Sequence, residues 1–441
     1  HLMYPMTGGF FNPGPYGGFI AVCSAVALAA AWKWFASKKL CDKVMSWIAG
    51  ISGALGLIVL PASMSRAGWA ALAVSAALSL ICRPGVRCYL KRHKWIVTAL
   101  AAMMLAVSAG AFFMKKDSAL GRFHIWEMEL RAIADKPLSG HGYGHALGAY
   151  GDAQARYFEK SERSRERQRL AGCPEYAFNE YLRAGIEFGV PGMLLAVAAV
   201  VIGSMSLYHR GSALAWGLTA WGIFALASYP LDVWQLRILL AVFLGFAAGT
   251  WLNPCRLGKW LVTSAAAALA LCCVLWWRPV YESKKDAEEK WHEEQRFTGF
   301  GISDGVADSL ALLYPQLRTE YRYLYDYGYA LHKERRYAES VRILKEGASM
   351  SSDPVFYDII GKNYEAMGDY CSAERCWLHA HCMVPSRLYP YILLMEMEDR
   401  RGNYEKALSY AETVMAMPVN SRNVVMCELH ESAERYYDEK K

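Results

Sequence analysis

The chain has twelve cysteines, yet no Cys-x-x-Cys pair and no Cys/His spacing of a zinc site. That excludes the common zinc modules and a thioredoxin-type redox motif. Long stretches also lack charge: ionisable residues almost vanish from several apolar runs before Trp277. A transporter or channel needs ionisable groups at mid-depth, so this scarcity ranks that class low. No secretory signal peptide is visible, and the chain opens on His1 rather than Met, which reads as an incomplete N-terminus. The formal charge of +7 does not signal nucleic acid, because the excess sits in short segments between apolar runs.

Hydrophobic residues make up 54% of the chain, while the mean hydropathy is only +0.09. An apolar part is therefore joined to a polar one, with the change near Trp277. A spanning helix needs roughly 20 apolar residues. Eight segments qualify or nearly qualify: Gly18 to Trp32, Met45 to Met64, Ala67 to Cys82, Trp95 to Met114, Phe188 to Leu207, Ala213 to Tyr229, Ile238 to Leu252, and Trp260 to Trp277. The expected fold is all-α, a polytopic helical domain over residues 1–280 followed by a helical tail. Basic clusters alternate with the spans. Lys33, Lys38, Lys39 and Lys43 mark one loop, and Arg83, Arg87, Lys91, Arg92 and Lys94 a second. Arg210 marks a third, and Arg256 with Lys259 a fourth. All four fall on one side, which the positive-inside rule makes cytoplasmic. The turn at Arg66, a long loop over residues 115–187, the turn around Asp232 and the tail then face outward.

The tail carries a repeat. Gly361, Tyr364, Gly368-Asp369-Tyr370, Ala373, Trp377, Ala380 and Pro385 fall at the spacings of a tetratricopeptide repeat. Weaker units align Gly328, Tyr337, Ser340 and Leu344 before it, and Tyr391, Gly402-Asn403-Tyr404, Ala407 and Ala411 after it. This resemblance covers residues 321–420 and implies a stack of helix pairs that binds a protein or peptide, or that merely supports the membrane part. Residues 281–320 read as a solvated helical linker, and 421–441 as a terminal helix or tail. Cys371, Cys376 and Cys382 cluster in the repeats, where either a disulfide or packed free thiols would suit an outward tail.

Four outward segments are too patterned for plain connectors. Phe11-Asn12-Pro13-Gly14-Pro15 marks a turn before the first span. Ser65-Arg66-Ala67-Gly68-Trp69 puts an arginine in a short turn between two spans, where it snorkels or faces a polar cavity. Arg122-Phe123-His124-Ile125-Trp126-Glu127 opens a stretch whose Ile125, Met128, Ala132 and Ile133 make an apolar stripe. Glu127 can pair with Arg131 at i,i+4, so the stretch reads as an amphipathic helix on the membrane surface. It runs into Pro137-Leu138-Ser139-Gly140-His141-Gly142-Tyr143-Gly144, whose glycines could expose backbone N–H groups to an anion. The fourth is Ala177-Phe178-Asn179-Glu180-Tyr181-Leu182, continuing to Glu187-Phe188-Gly189; Glu180, Arg183 and Glu187 share a helix face.

Together these segments resemble the O-antigen ligase and O-antigen polymerase family of bacterial envelope glycosyltransferases, over roughly Phe11 to Leu252. Family members usually carry more spans ahead of this region, and five further spans would start the chain in the cytoplasm. The resemblance implies metal-independent transfer of a glycan from an undecaprenyl diphosphate carrier to a glycan, lipid or protein acceptor. The site would lie on the periplasmic face of the inner membrane, among membrane lipids, with no cofactor. No Asp-x-Asp motif occurs in the outward loop, in keeping with that. Arg66 and Arg122 match the family's motif positions and take the diphosphate role, since a guanidinium fork binds two phosphate oxygens at once. Ligases of the family place a histidine directly before the Asn of the fourth motif, as the base; here Phe178 stands there. His141, His145, Glu180 and Glu187 are the alternatives by chemistry, with Gly140, Gly142, Gly144 and Asn179 in support. The departure keeps a polymerase, a protein O-oligosaccharyltransferase and a non-catalytic scaffold for the repeats as other readings.

Overall fold

The computed structural model describes residues 6–35, 37–93, 95, 116–160, 165–249, 272, 275, 277–295, 305–419 and 423–441. It is helical throughout, with no strand among the described residues. Contacts divide the chain into two units: residues 1–126, 136–140 and 176–254, and residues 127–135, 141–175 and 255–441.

In the first unit the helix Pro13–Phe35 packs against Leu40–Val59, Arg66–Ile81 and Leu214–Ala225. Leu214–Ala225 in turn meets Arg66–Ile81, Glu180–His209 and Trp234–Gly249. Small residues make this close contact possible, as they do where lipid supplies no hydrophobic drive between helices. A Cβ on Gly56 would strike Ser24 Oγ, and one on Gly18 would strike the Phe224 ring. The core gathers Val22, Leu72, Leu218, Trp221, Phe224 and Leu236. Outward, Trp47, Ile51, Ile58, Leu195 and Ile202 are all exposed. An apolar surface this broad suits a lipid environment and not water.

Among the described residues three helices are long and apolar enough to cross a membrane: Pro13–Phe35, Leu40–Ser63 and Glu180–His209, of 23, 24 and 30 residues. Arg66–Ile81 with Pro84–Leu90 makes a fourth only as a pair bent by 91°. Leu214–Ala225 and Trp234–Gly249 are shorter apolar helices. The spans expected at Trp95 to Met114 and Trp260 to Trp277 lie, apart from isolated positions, outside the described residues, as do residues 250–252 of the span expected from Ile238.

The second unit holds antiparallel helix pairs. Tyr321–Lys333 packs on Tyr337–Ala348, Val355–Ala366 on Tyr370–Met383, and Tyr389–Arg400 on Tyr404–Ala416. The helix Val424–Lys440 closes on the last of these. Size complementarity holds the pairs: Gly361 lies against the Trp377 indole and Gly328 against Leu344. Trp377 is fully buried, and its Nε1 donates to Asp358 O at 3.0 Å. The turn within each pair has positive φ at the same phase: Arg335 (61°), Gly368 (82°) and Gly402 (77°).

Residues 281–320 are less solvated than their composition suggests. Ala287, Trp291, Val306 and Leu310 are buried in one core with Tyr323, Leu324 and Leu331. Residues 141–175, grouped by sequence with the membrane part, belong to the second unit. The helix Ala146–Glu159 packs on Tyr370–Met383, and Gln154 Nε2 donates to Met383 O. His145 Nδ1 lies 3.0 Å from Ser349 O, and Ser352 Oγ donates to Pro174 O at 2.9 Å. Cys371, Cys376 and Cys382 are free thiols. They share one helix: offsets of five and six residues turn neighbouring thiols apart, and Cys371 and Cys382, on one face, are about 16 Å apart along the axis, so none is within disulfide reach of another.

Burial pushes the Asp358 carboxyl up to about 6, against the pull of Arg387 at 2.6 Å. A folded-state value above the unfolded one favours the protonated carboxyl. Its stabilisation is whole below about pH 4 and fades as pH rises through about 6, by roughly 3 kcal/mol in total. Hydrogen-exchange protection of residues 355–366, corrected for intrinsic rates, should fall between pH 4 and pH 7. Asp358→Asn should remove that slope.

Candidate active site at the polar end of the first unit

The site is built from short turns that begin helices. Asn12 Oδ1 accepts the Gly14 N–H at 2.9 Å and starts Pro13–Phe35. Ser65 caps Arg66–Ile81: its Oγ accepts from Gly68 N–H at 3.3 Å and donates to Gly14 O at 3.1 Å. Such a cap satisfies an orphan N–H of the first turn. A Cβ on Gly68 would lie 2.7 Å from Gly17 O, and Trp69 Nε1 donates to Leu60 O at 2.9 Å. The Ser-Arg-x-Gly-Trp pattern is thus a cap, a backbone crossing and an anchor, and it fixes Arg66 at the helix start.

Asn179 caps the helix Glu180–His209, accepting from Tyr181 N–H at 3.0 Å and Leu182 N–H at 3.2 Å. That helix kinks at Gly189, where φ is 73° and ψ −178°. Facing it is the turn at Pro137–Gly140. Val190 N–H donates to Pro137 O at 2.7 Å. A Cβ on Gly189 would meet Leu138 O at 2.6 Å, and one on Gly140, itself at φ 68°, would strike the Glu187 carbonyl. The Pro-Leu-x-Gly and Glu-x-Gly motifs are therefore two halves of one backbone-to-backbone contact. Gly142 and Gly144, placed in the second unit, also have positive φ.

Arg122 enters from the helix Lys116–Asp135. Its Nη1 donates to Ala227 O at 3.2 Å, and the guanidinium lies 5.2 Å from the centroid of the Phe178 ring. Burial, and then the neighbouring Arg66, hold its pKa below the usual arginine value. Phe178 stands edge-on to Tyr229 at 5.7 Å, and Tyr229 stacks on Tyr176 at 4.3 Å. Phe178 thus serves as the aromatic face under Arg122, a cation–π contact that a neutral imidazole would make more weakly.

Behind it, Arg183 gathers three carboxylates. It lies 2.8 Å from Asp232, 3.3 Å from Glu187 and 3.7 Å from Glu180. Glu180 and Glu187 are each 4% exposed. Glu180 Oε1 also accepts the Leu231 N–H at 2.7 Å, while its Oε2 has no hydrogen-bond donor among the described residues. Removing the shared cation from such a group leaves buried charge uncompensated, a loss of about 3–5 kcal/mol. Arg183→Ala should therefore sharply lower the detergent-solubilised melting temperature, and pairing it with Glu187→Gln should recover part of the loss.

The structure brings Arg66, Arg122, Asn179, Glu180, Glu187 and Gly140 into one unit. His141 falls in the second, with Nε2 2.9 Å from Ala132 O. A carbonyl only accepts, so Nε2 carries the proton and Nδ1 is the basic nitrogen. The apolar stripe of the Arg122 helix does not lie open for a membrane: Met128 and Ala132 are fully buried and Ile133 is 6% exposed. Protein covers it, and the ring of Tyr157 from the helix Ala146–Glu159 lies 4.8 Å from Arg131. The expected Glu127–Arg131 pair forms at 3.1 Å. Sequence reading set the turn around Asp232 on the outward side but gave it no part in the site; Ala227 and Leu231 in that turn receive Arg122 and Glu180, and Tyr-Pro-Leu-Asp between two apolar runs was the available signal.

The class these features define is a helical membrane protein with two arginines set into one polar end. Residues 51–197 match the family model described as O-antigen ligase. The match takes in the Arg66 turn, the Arg122 helix and both glycine motifs, and it supports glycosyl transfer in a membrane. No curated protein and no solved structure matches the chain significantly.

Proposed function

We propose that the polar end of the first unit transfers a glycan from an undecaprenyl diphosphate carrier to an acceptor hydroxyl. The observation that carries this is the juxtaposition of Arg122 and Arg66. Arg122 is partly buried and feels the positive charge of Arg66, and both effects favour an anion beside it. A lipid diphosphate supplies that anion, and its charge grows as it leaves. The acceptor oxygen bonds to the anomeric carbon, the carbon–oxygen bond to the diphosphate breaks, and its electron pair stays on the phosphate oxygen. Fixed cations stabilise that oxygen without reorganising.

The acceptor proton goes to a base. We assign it to Glu180, whose Oε1 is anchored on Leu231 N–H while Oε2 keeps acceptor capacity. His141 is the competing candidate, with Nδ1 as its basic atom. Glu187, held by Arg183, orients the acidic group. Glu180→Gln should abolish the acid limb of the pH–rate profile if Glu180 is the base; His141→Ala should do so if it is not.

In this reading the protein sits in a bacterial inner membrane, with the basic loops cytoplasmic and the site and tail periplasmic. The helix pairs of the second unit form a tetratricopeptide-type stack that recruits a protein acceptor or assembly partner. Transfer from a purified lipid-linked glycan to lipid A core, to a growing polysaccharide and to protein acceptors, with and without chelator, tests the whole scheme. Absence of transfer to every acceptor would overturn it, and loss in chelator would overturn its metal independence.

A further inference from the structure

At the opposite end of the first unit three of the basic loops converge. Lys33 Nζ donates to Gly211 O at 2.8 Å, and Tyr208 OH donates to Cys82 O at 3.1 Å. Between these ties lies a cavity of about 290 Å³, and beside it a second of about 220 Å³ that shares part of its wall. Trp32, Ser79, Arg83 and Trp216 line both. The outer lobe adds polar groups, among them Lys33, Tyr208 and Ser212; the inner one adds Ala25, Leu28, Ala76 and Leu80 and is almost wholly apolar.

Arg83 stands where the lobes meet. Its guanidinium lies 4.1 Å from the centroid of the Trp32 ring. Its Nη1 is buried and has no hydrogen-bond partner among the described residues. A buried cationic donor without an acceptor is costly. The N-terminal end of the helix Pro84–Arg92, for which Arg83 is the cap residue, adds partial positive charge to the same spot.

We propose that this cavity is a binding site for an anionic glycerophospholipid, with its phosphate on Arg83 and Lys33 and an acyl chain in the inner lobe. A planar guanidinium can give two hydrogen bonds to one phosphate. Tryptophan and tyrosine are the side chains that settle at the headgroup level of a bilayer. A free phosphate would satisfy Arg83 but leave the apolar lobe empty. The amphiphilic shape of the cavity therefore selects the lipid. The site is separate from the glycan-transfer end and does not depend on that reading.

The test uses the full chain in detergent, with phosphatidylglycerol, phosphatidylcholine and inorganic phosphate as three probes. Thermal stability and native mass spectrometry are the readouts. Phosphatidylglycerol should raise the melting temperature and remain bound; the other two should do neither. Arg83→Gln should weaken phosphatidylglycerol binding about tenfold or more, the scale of one charge-assisted pair. Ser79→Leu keeps the charge and fills the shared wall, and it should weaken binding likewise; it serves as the second variant should Arg83→Gln fail to fold. Equal stabilisation by phosphatidylcholine would overturn headgroup recognition. Equal stabilisation by inorganic phosphate would overturn the lipid assignment. Unchanged phosphatidylglycerol binding in either variant would overturn the site.

Discussion

Arg122→Ala should lower glycan transfer by about 10²- to 10³-fold while the protein still accumulates in the membrane. The size follows from what the side chain does now. It makes one hydrogen bond, to Ala227 O, and lies over Phe178. Neither contact ties helix to helix through a buried core, so truncation leaves the fold standing. What disappears is a fixed cation where, in the proposed transfer, phosphate charge develops. Arg122→Lys should recover only part of the rate, because an ammonium cannot reproduce the planar fork. Arg66→Ala should act in the same direction. The double variant should fall short of the product of the two effects, since both groups serve one anion. Unchanged glycan product in cells carrying either alanine, at normal protein level, would leave the scaffold reading in place.

Gly189→Ala is expected to be among the most damaging single methyls in the described residues. Its backbone, at φ 73° and ψ −178°, is one that essentially only glycine adopts. The added carbon would also lie 2.6 Å from Leu138 O and 2.7 Å from Pro137 O. Those are backbone atoms and cannot swing aside as a side chain could. Relief requires separating the Pro137–Gly140 turn from the helix, which breaks the Val190 N–H to Pro137 O bond as well. Backbone strain, overpacking and the lost bond each contribute roughly 1–3 kcal/mol. The variant should accumulate poorly and be cleaved by protease near residues 136–140. Gly140→Ala should reproduce the effect from the other side. Gly121→Ala makes the control, because a Cβ there meets nothing within 4 Å. Equal stability of Gly189→Ala and Gly121→Ala would refute the account.

Composition and periodicity carried much of the architecture. The apolar helices Pro13–Phe35, Leu40–Ser63 and Glu180–His209 and the helix pair around Gly361 and Trp377 were readable, because each depends on local spacing. Other features rest on partners far apart in the chain. Gly68 is glycine because of Gly17 O, and Gly140 because of Glu187; neither reason is present in the residues beside it. The stripe of Met128, Ala132 and Ile133 was readable as an apolar face. Period alone cannot say whether lipid or protein covers such a face, and here protein does. The candidate site divides in the same way. Arg66 and Arg122 stood out as charges beside apolar runs. Ala227 and Tyr229 did not, since a carbonyl and an aromatic in a turn look ordinary until Arg122 is seen against them.

The helix Ala146–Glu159 has a consequence in time. Its partner, Tyr370–Met383, is made roughly 200 residues later, and at about 5–20 residues per second that is about 10–40 s of synthesis. Throughout that interval Gly151, Gln154 and Ala155, which meet Met383 in the finished protein, wait without the surface that covers them. Ala146–Glu159 is therefore exposed to chaperones and proteases for longer than any local hairpin of the tail. Slowing translation between residues 160 and 370 should lower the yield of intact chain more than the same delay placed after residue 383.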